Sequence, residues 1–100
     1  MLTHIVLWKF KDEAEGADKA TNIAKAKALL EACAALSPGT LRFEVATAEP
    51  GLEATYDLIL NAQFTDAAAL AACAEHPQHV ALKPFLGAVR LERQCMDYTT

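Results

Sequence analysis

Two imidazoles flank a proline in His76-Pro77-Gln78-His79, inside the otherwise apolar stretch from Ala74 to Phe85. Imidazole changes charge near neutrality, so such a pair suits either proton transfer or metal ligation. The residue before a proline is driven out of helical geometry, and proline itself suits the first position of a helix, so a helix should break at His76 and a short one begin at Pro77. His79 is then the third residue of that helix, whose positive end disfavours imidazolium. A neutral His79 could abstract a carbon-bound proton from a small carbonyl compound while a partner polarised the carbonyl. The competing reading is structural: His79 donates to a backbone carbonyl and locks the helix break onto the first strand.

Other residues could join it. His4 shares a strand side with Val6 and Trp8, and a buried histidine needs a hydrogen-bond partner, for which His79 is the economical choice. His76 reads as a capping or surface residue. A metal site would need His4, His76 and His79 to converge, yet no carboxylate stands at a helpful spacing, so no metal is expected. Cys73, three residues before His76, raises the idea of a Cys-His nucleophile, but a thiol on an alanine-rich helix face is ordinarily a small core residue with an unlowered pKa. Arg93 groups with Leu91 and Cys95 by strand parity. If that side faces the helices, its guanidinium enters the pocket region and could grip a carboxylate or enolate oxygen; otherwise it reaches Glu75, Asp57 of the partner subunit, or solvent.

The elements that must position these groups follow from periodicity. Residues 2 to 10 are apolar at nearly every position, with His4, Val6, Trp8 and Phe10 on one side and Ile5 and Leu7 on the other, as in a strand covered on both faces. A helix is predicted over roughly 17 to 36, with Asp12 and Asp18 as candidate caps and Ile23, Lys27, Leu30 and Cys33 along its face, ended by Ser37-Pro38-Gly39. A second strand alternates Leu41, Phe43 and Val45 against Arg42 and Glu44. The third, about 55 to 64, directs Tyr56, Leu58, Leu60, Ala62 and Phe64 to the core. Asp66 caps a second helix running to Glu75, Lys83-Pro84 closes the short helix after it, and a polar last strand spans about 88 to 97.

This order, β-α-β-β-α-β, predicts an α+β, ferredoxin-like fold: a four-stranded antiparallel sheet with helices on one side. Ile5, Leu7 and Ile59 point to the other side, where a second copy of the chain is the simplest cover, giving a two-fold dimer by sheet-on-sheet packing.

Composition limits the classes of function. The 100 residues carry 9 basic and 13 acidic side chains, a net charge of -4, with no basic face for nucleic acid and no glycine-rich phosphate loop. Cys33, Cys73 and Cys95 are widely spaced and odd in number, which suggests neither disulfides nor a zinc knuckle and fits a reducing, cytoplasmic setting. The apolar start holds Lys9 and lacks a cleavage signal, and no run approaches the ~20 apolar residues of a membrane span. One soluble domain with no nucleic-acid or membrane partner is expected.

"THIVLWKFKDEA", "LSPGTLRFEV", "YDLILNAQFTDAAAL", "HPQHVALKPFL" and the closing "MDY" together resemble the stress-responsive dimeric α/β-barrel family, known as Dabb, over essentially the whole chain. The resemblance implies the ferredoxin-like fold, a homodimer whose sheets form a barrel, and a pocket between sheet and helices in each subunit. One similar plant branch is a cofactor-free polyketide cyclase in which a histidine of the HPxH motif is the base. That motif matches His76, Pro77 and His79 here, and the strand-one histidine matches His4. A tyrosine that holds the cyclase substrate falls at Cys73, and a third-strand histidine falls at Leu58. The expectation is a homodimer with a small hydrophobic pocket, lined by Val6, Trp8, Leu58, Leu60, Cys73, Leu82 and Arg93, for an aromatic or polyketide-like carbonyl compound. His79 and His4 are its candidate catalytic pair, without a cofactor. The alternative is a non-catalytic structural or stress-associated oligomer.

Overall fold

The computed structural model describes residues 1–100. Strand β1 (Leu2–Phe10) is central, with β5 (Leu58–Phe64) on one side and β6 (Arg90–Thr99) on the other; β4 (Thr40–Thr47) continues the sheet beyond β5. Every pairing is antiparallel. The even positions of β1 and β5 build the core as their alternation predicts: Val6, Trp8, Phe10, Leu58, Leu60, Ala62 and Phe64 are all buried.

A two-stranded hairpin, β2 (Glu13–Ala14) with β3 (Ala17–Asp18), precedes the first helix and was not expected from the pattern. Glu15 and Gly16 both take positive φ at its tip, 52° and 73°, as a two-residue hairpin turn requires. Helix α1 (Lys19–Glu31) starts where Asp18 accepts from the Thr21 amide at 2.8 Å. It is shorter than the predicted 17 to 36, because residues 32 to 36 leave the helix in turns. Its buried face is Asn22, Ala26 and Leu30 rather than Ile23 and Lys27. Asn22 decides this rotation: its amide donates to the Ala14 carbonyl at 2.9 Å and ties the helix onto the hairpin, while Lys27 reaches Glu31 at 3.3 Å on the outer side.

Gly39 lets the loop after α1 approach the second helix, since a Cβ there would lie 2.5 Å from that of Ala69. The third strand of the main sheet begins at Leu58 and not at Thr55. Tyr56 leaves the core side predicted for it and donates to Glu92 on the opposite face. Asp57 instead closes the irregularity at Lys9 and Phe10: its carboxylate accepts from the Phe10 amide at 2.8 Å, and its own amide donates to the Trp8 carbonyl at 2.9 Å.

Helix α2 (Ala67–Ala74) is capped by Asp66, which accepts from the Ala69 amide at 2.8 Å. Helix α3 (Pro77–Val80) starts at the proline, with His76 as its cap. Lys83-Pro84 does not close this region but opens helix α4 (Lys83–Val89), a proline in the first turn again costing no hydrogen bond. The last strand consequently begins two residues later than expected and runs to Thr99.

The helices leave the odd side of the sheet bare. Ile5, Leu7 and Ile59 are half-buried there, and Met96 and Tyr98 are 67% and 45% exposed. No helix is long and apolar enough to cross a membrane.

Candidate functional site

Between β1, β6, α3, α4 and the end of α1 lies a cavity of about 390 Å³. Its apolar wall is Val6, Trp8, Leu30, Leu60 and Leu86, all buried. Its polar wall is His4, His79, Lys83, Arg90 and Arg93. A smaller space of about 140 Å³ shares His4, Leu60, His79, Lys83 and Arg93 with it and extends toward Phe43, Leu70 and Cys73. The volume falls at the lower end of the range for small-molecule sites, about 300 to 1,000 Å³.

The local sequence explains each placement. In β6 the odd residues face the helices because the register sets Arg93 opposite Trp8, Cys95 opposite Val6 and Asp97 opposite His4. Arg93 therefore stands at the cavity, and it forms no ion pair with Glu75 or Asp57 of its own chain. Pro77 breaks the α2 path and restarts the chain as α3, which turns His79 inward, while His76 stays outside and accepts from the Gln78 amide through Nδ1 at 3.1 Å. Lys83 follows one turn later, at the start of α4.

His79 makes no side-chain hydrogen bond. Its Nδ1 is buried without a partner, which leaves Nε2 as the nitrogen a ligand can reach. The expected bond to a backbone carbonyl is thus not formed. Desolvation lowers the His79 pKa from its ordinary 6.5, and the charges of Lys83, His4 and Arg93 lower it further. The ring is held neutral, as a base near pH 7 must be. The Trp8 indole nitrogen is a second buried polar atom without a partner in the same wall.

His4 is not bonded to His79, contrary to expectation. Its Nδ1 meets the Asp97 carboxylate directly across the strand pair. That contact fixes the tautomer with Nδ1 protonated and Nε2 free. Asp97 is the orienting group that sequence reasoning missed; its signal was the odd parity it shares with Arg93.

Of the other expected pocket residues, Val6, Trp8 and Leu60 line the cavity, and Cys73 lines only the smaller extension. Burial pushes the Cys73 thiol up, with a contribution from Cys33, so it is no thiolate nucleophile. Leu58 and Leu82 are corrections: both are packed into the core and line neither space. Leu58 has the right parity but is buried at the start of β5, paired with Thr47 and Trp8, and Leu82 is buried at the junction of α3 and α4. Leu30, Lys83, Leu86 and Arg90 were missed, the last three because α4 was not recognised as a helix. No cluster of three or more His, Cys, Asp or Glu side chains forms.

A four-stranded sheet in the order β4-β5-β1-β6, helices on one face and a cavity beneath them define a ferredoxin-like α+β protein with a built-in pocket. The chain belongs to the stress responsive A/B barrel domain family, Dabb, whose model matches residues 2–100. It is similar to a dimeric protein of unknown function and ferredoxin-like fold from Bacteroides fragilis NCTC 9343, at 29% identity and a TM-score of 0.81, covering 99% of this chain and 95% of that one. A dimeric ferredoxin-like protein of unknown function from Jannaschia sp. CCS1 is 28% identical, with a TM-score of 0.73 over 99% of this chain and 98% of that one. A putative antibiotic biosynthesis monooxygenase from Nitrosomonas europaea shares the fold, at 19% identity and a TM-score of 0.79 over 100% and 98% of the two chains. No curated protein matches the sequence.

Proposed function

We propose that this chain forms a two-fold homodimer through the bare face of its sheet, and that each subunit binds a small, largely apolar carbonyl compound and moves a proton on it without a cofactor. The observation that carries the reading is an unpartnered, charge-averse histidine at a cavity large enough for a ligand. Nε2 of His79 takes the proton from the carbon beside the carbonyl. The pair of electrons from the broken C–H bond forms the C=C bond of an enolate, and the carbonyl π pair moves onto oxygen. Arg93 accepts that charge, since a guanidinium supplies a fixed fork of donors. The proton now on His79 exchanges with solvent and a proton returns to the carbon from the same nitrogen, while His4, held by Asp97, stands in the same wall with Nε2 as an acceptor for the ligand. No oxidant or reductant is needed.

The dimer reading rests on Ile5, Leu7, Ile59, Met96 and Tyr98 forming one apolar face and on the dimeric state of the Bacteroides fragilis and Jannaschia proteins. Packing sheet on sheet would bury the face that the helices leave open.

The test follows α-proton exchange of 2-tetralone in D₂O by proton NMR. Exchange above the buffer rate by the wild type, lost in His79→Gln, is the expected result. Equal exchange by the two proteins would remove His79 as the base, and no exchange above buffer by the wild type on this and related aryl ketones would remove the proton-transfer reading.

A further inference from the structure

Charge is distributed unevenly around this cavity in a molecule whose net charge is -4. Six of the nine lysines and arginines find a partner within the chain, whether an acid, a backbone carbonyl or an aromatic ring. The remaining three, nine less six, are Lys83, Arg90 and Arg93, and all three line the cavity. No aspartate or glutamate lines it or its smaller extension. The one nearby carboxylate, Asp97, is engaged by His4. Three exposed cations on the lining of one cavity, with no acid among them, make its potential positive and favour an anion.

We infer that the cavity takes an organic acid, its apolar body against Trp8 and the leucines and its carboxylate between Arg90, Arg93 and Lys83. This rests on the cavity being a ligand site, as proposed above, and adds the chemical class of its occupant. Two guanidiniums and an ammonium match a planar carboxylate, and no glycine lines the cavity to bring backbone amides onto a phosphate. The apolar side chains that share the cavity with the three cations favour an anion with an aromatic or aliphatic body over a fully hydrated one. The bound carboxylate also offsets the charges of Lys83 and Arg93, which add to desolvation in lowering the His79 pKa, so binding strengthens that base as the substrate arrives.

The protein is titrated by calorimetry with 2-naphthoate and with its uncharged counterpart 2-naphthamide. The expected result is naphthoate binding at least about tenfold tighter, a preference that shrinks to under about threefold in the Arg90→Met/Arg93→Met double variant. In 1 M salt, where the screening length falls to about 3 Å, the wild type loses most of the preference too, a readout independent of how the variant folds. Leu86→Trp, which fills the cavity, should abolish binding of both compounds. Equal affinity for acid and amide would overturn the anion inference while leaving the cavity as a ligand site. Failure of both compounds to bind would overturn the inference and the cavity as a ligand site together, and naphthoate binding undiminished in Leu86→Trp would place the anion elsewhere and overturn the inference.

Discussion

Replacing His79 by leucine should make this protein more stable. A buried polar atom without a partner costs about 1 to 3 kcal/mol, and Nδ1 of His79 is such an atom. The ring as a whole is only half-buried, so the lower end applies, and a side chain of similar volume without nitrogen recovers about 1 kcal/mol. For a 100-residue chain that raises Tm by about 4 to 8 °C. The comparison is made by scanning calorimetry at pH 7.5 and fixed protein concentration, because the proposed dimer would make Tm concentration-dependent. At that pH His79 is neutral in both folded and unfolded states, so the gain there measures the unpaired atom alone. Acidification adds to it: the folded pKa lies below the ordinary 6.5, so the unfolded chain binds a proton that the folded chain resists. Wild-type stability is therefore full above 6.5 and lost as pH falls below it, until the folded pKa is passed. The leucine variant lacks this loss, and its advantage should widen between pH 7.5 and 5.5. A variant melting several degrees lower at pH 7.5 would show that His79 braces the fold, and a gap that fails to widen in acid would refute the electrostatic part.

Two further outcomes follow. Leu7→Glu places a charge on the bare sheet face of each subunit; with about 2 kcal/mol lost per copy, the dimer should weaken by about 4 kcal/mol, roughly a thousandfold, and sedimentation velocity at micromolar concentration should show monomers. Alkylation by iodoacetamide at pH 7.5, mapped by mass spectrometry, should modify exposed Cys95 well before Cys73 and Cys33, which are buried with raised pKa values; early modification of Cys73 would contradict its place in the core.

Much of the fold could be read from the chain because alternation and turn residues agree. The even positions of β1 and β5, the Asp66 cap and the break at Pro77 are local signals that tertiary structure had no reason to override. The same parity placed Arg93 at the cavity. What escaped depends on longer-range geometry. The rotation of α1 is set by an amide reaching back to Ala14, and in an alanine-rich helix no hydropathy pattern reveals it. The Lys83-Pro84 pair fits the end of one helix as well as the start of another, and choosing the end concealed Lys83, Leu86 and Arg90, three of the ten residues around the cavity. His4 was given the wrong partner because two histidines in one wall look complementary, whereas the strand register brings Asp97 to His4 first.

An NMR titration of the His79 imidazole in the intact protein, without ligand, bears most directly on the idea that the cavity holds a neutral, unbonded base. A midpoint below 6.5 that rises when 2-naphthoate is added is the predicted behaviour. A midpoint at or above 6.5, insensitive to the acid, would contradict it.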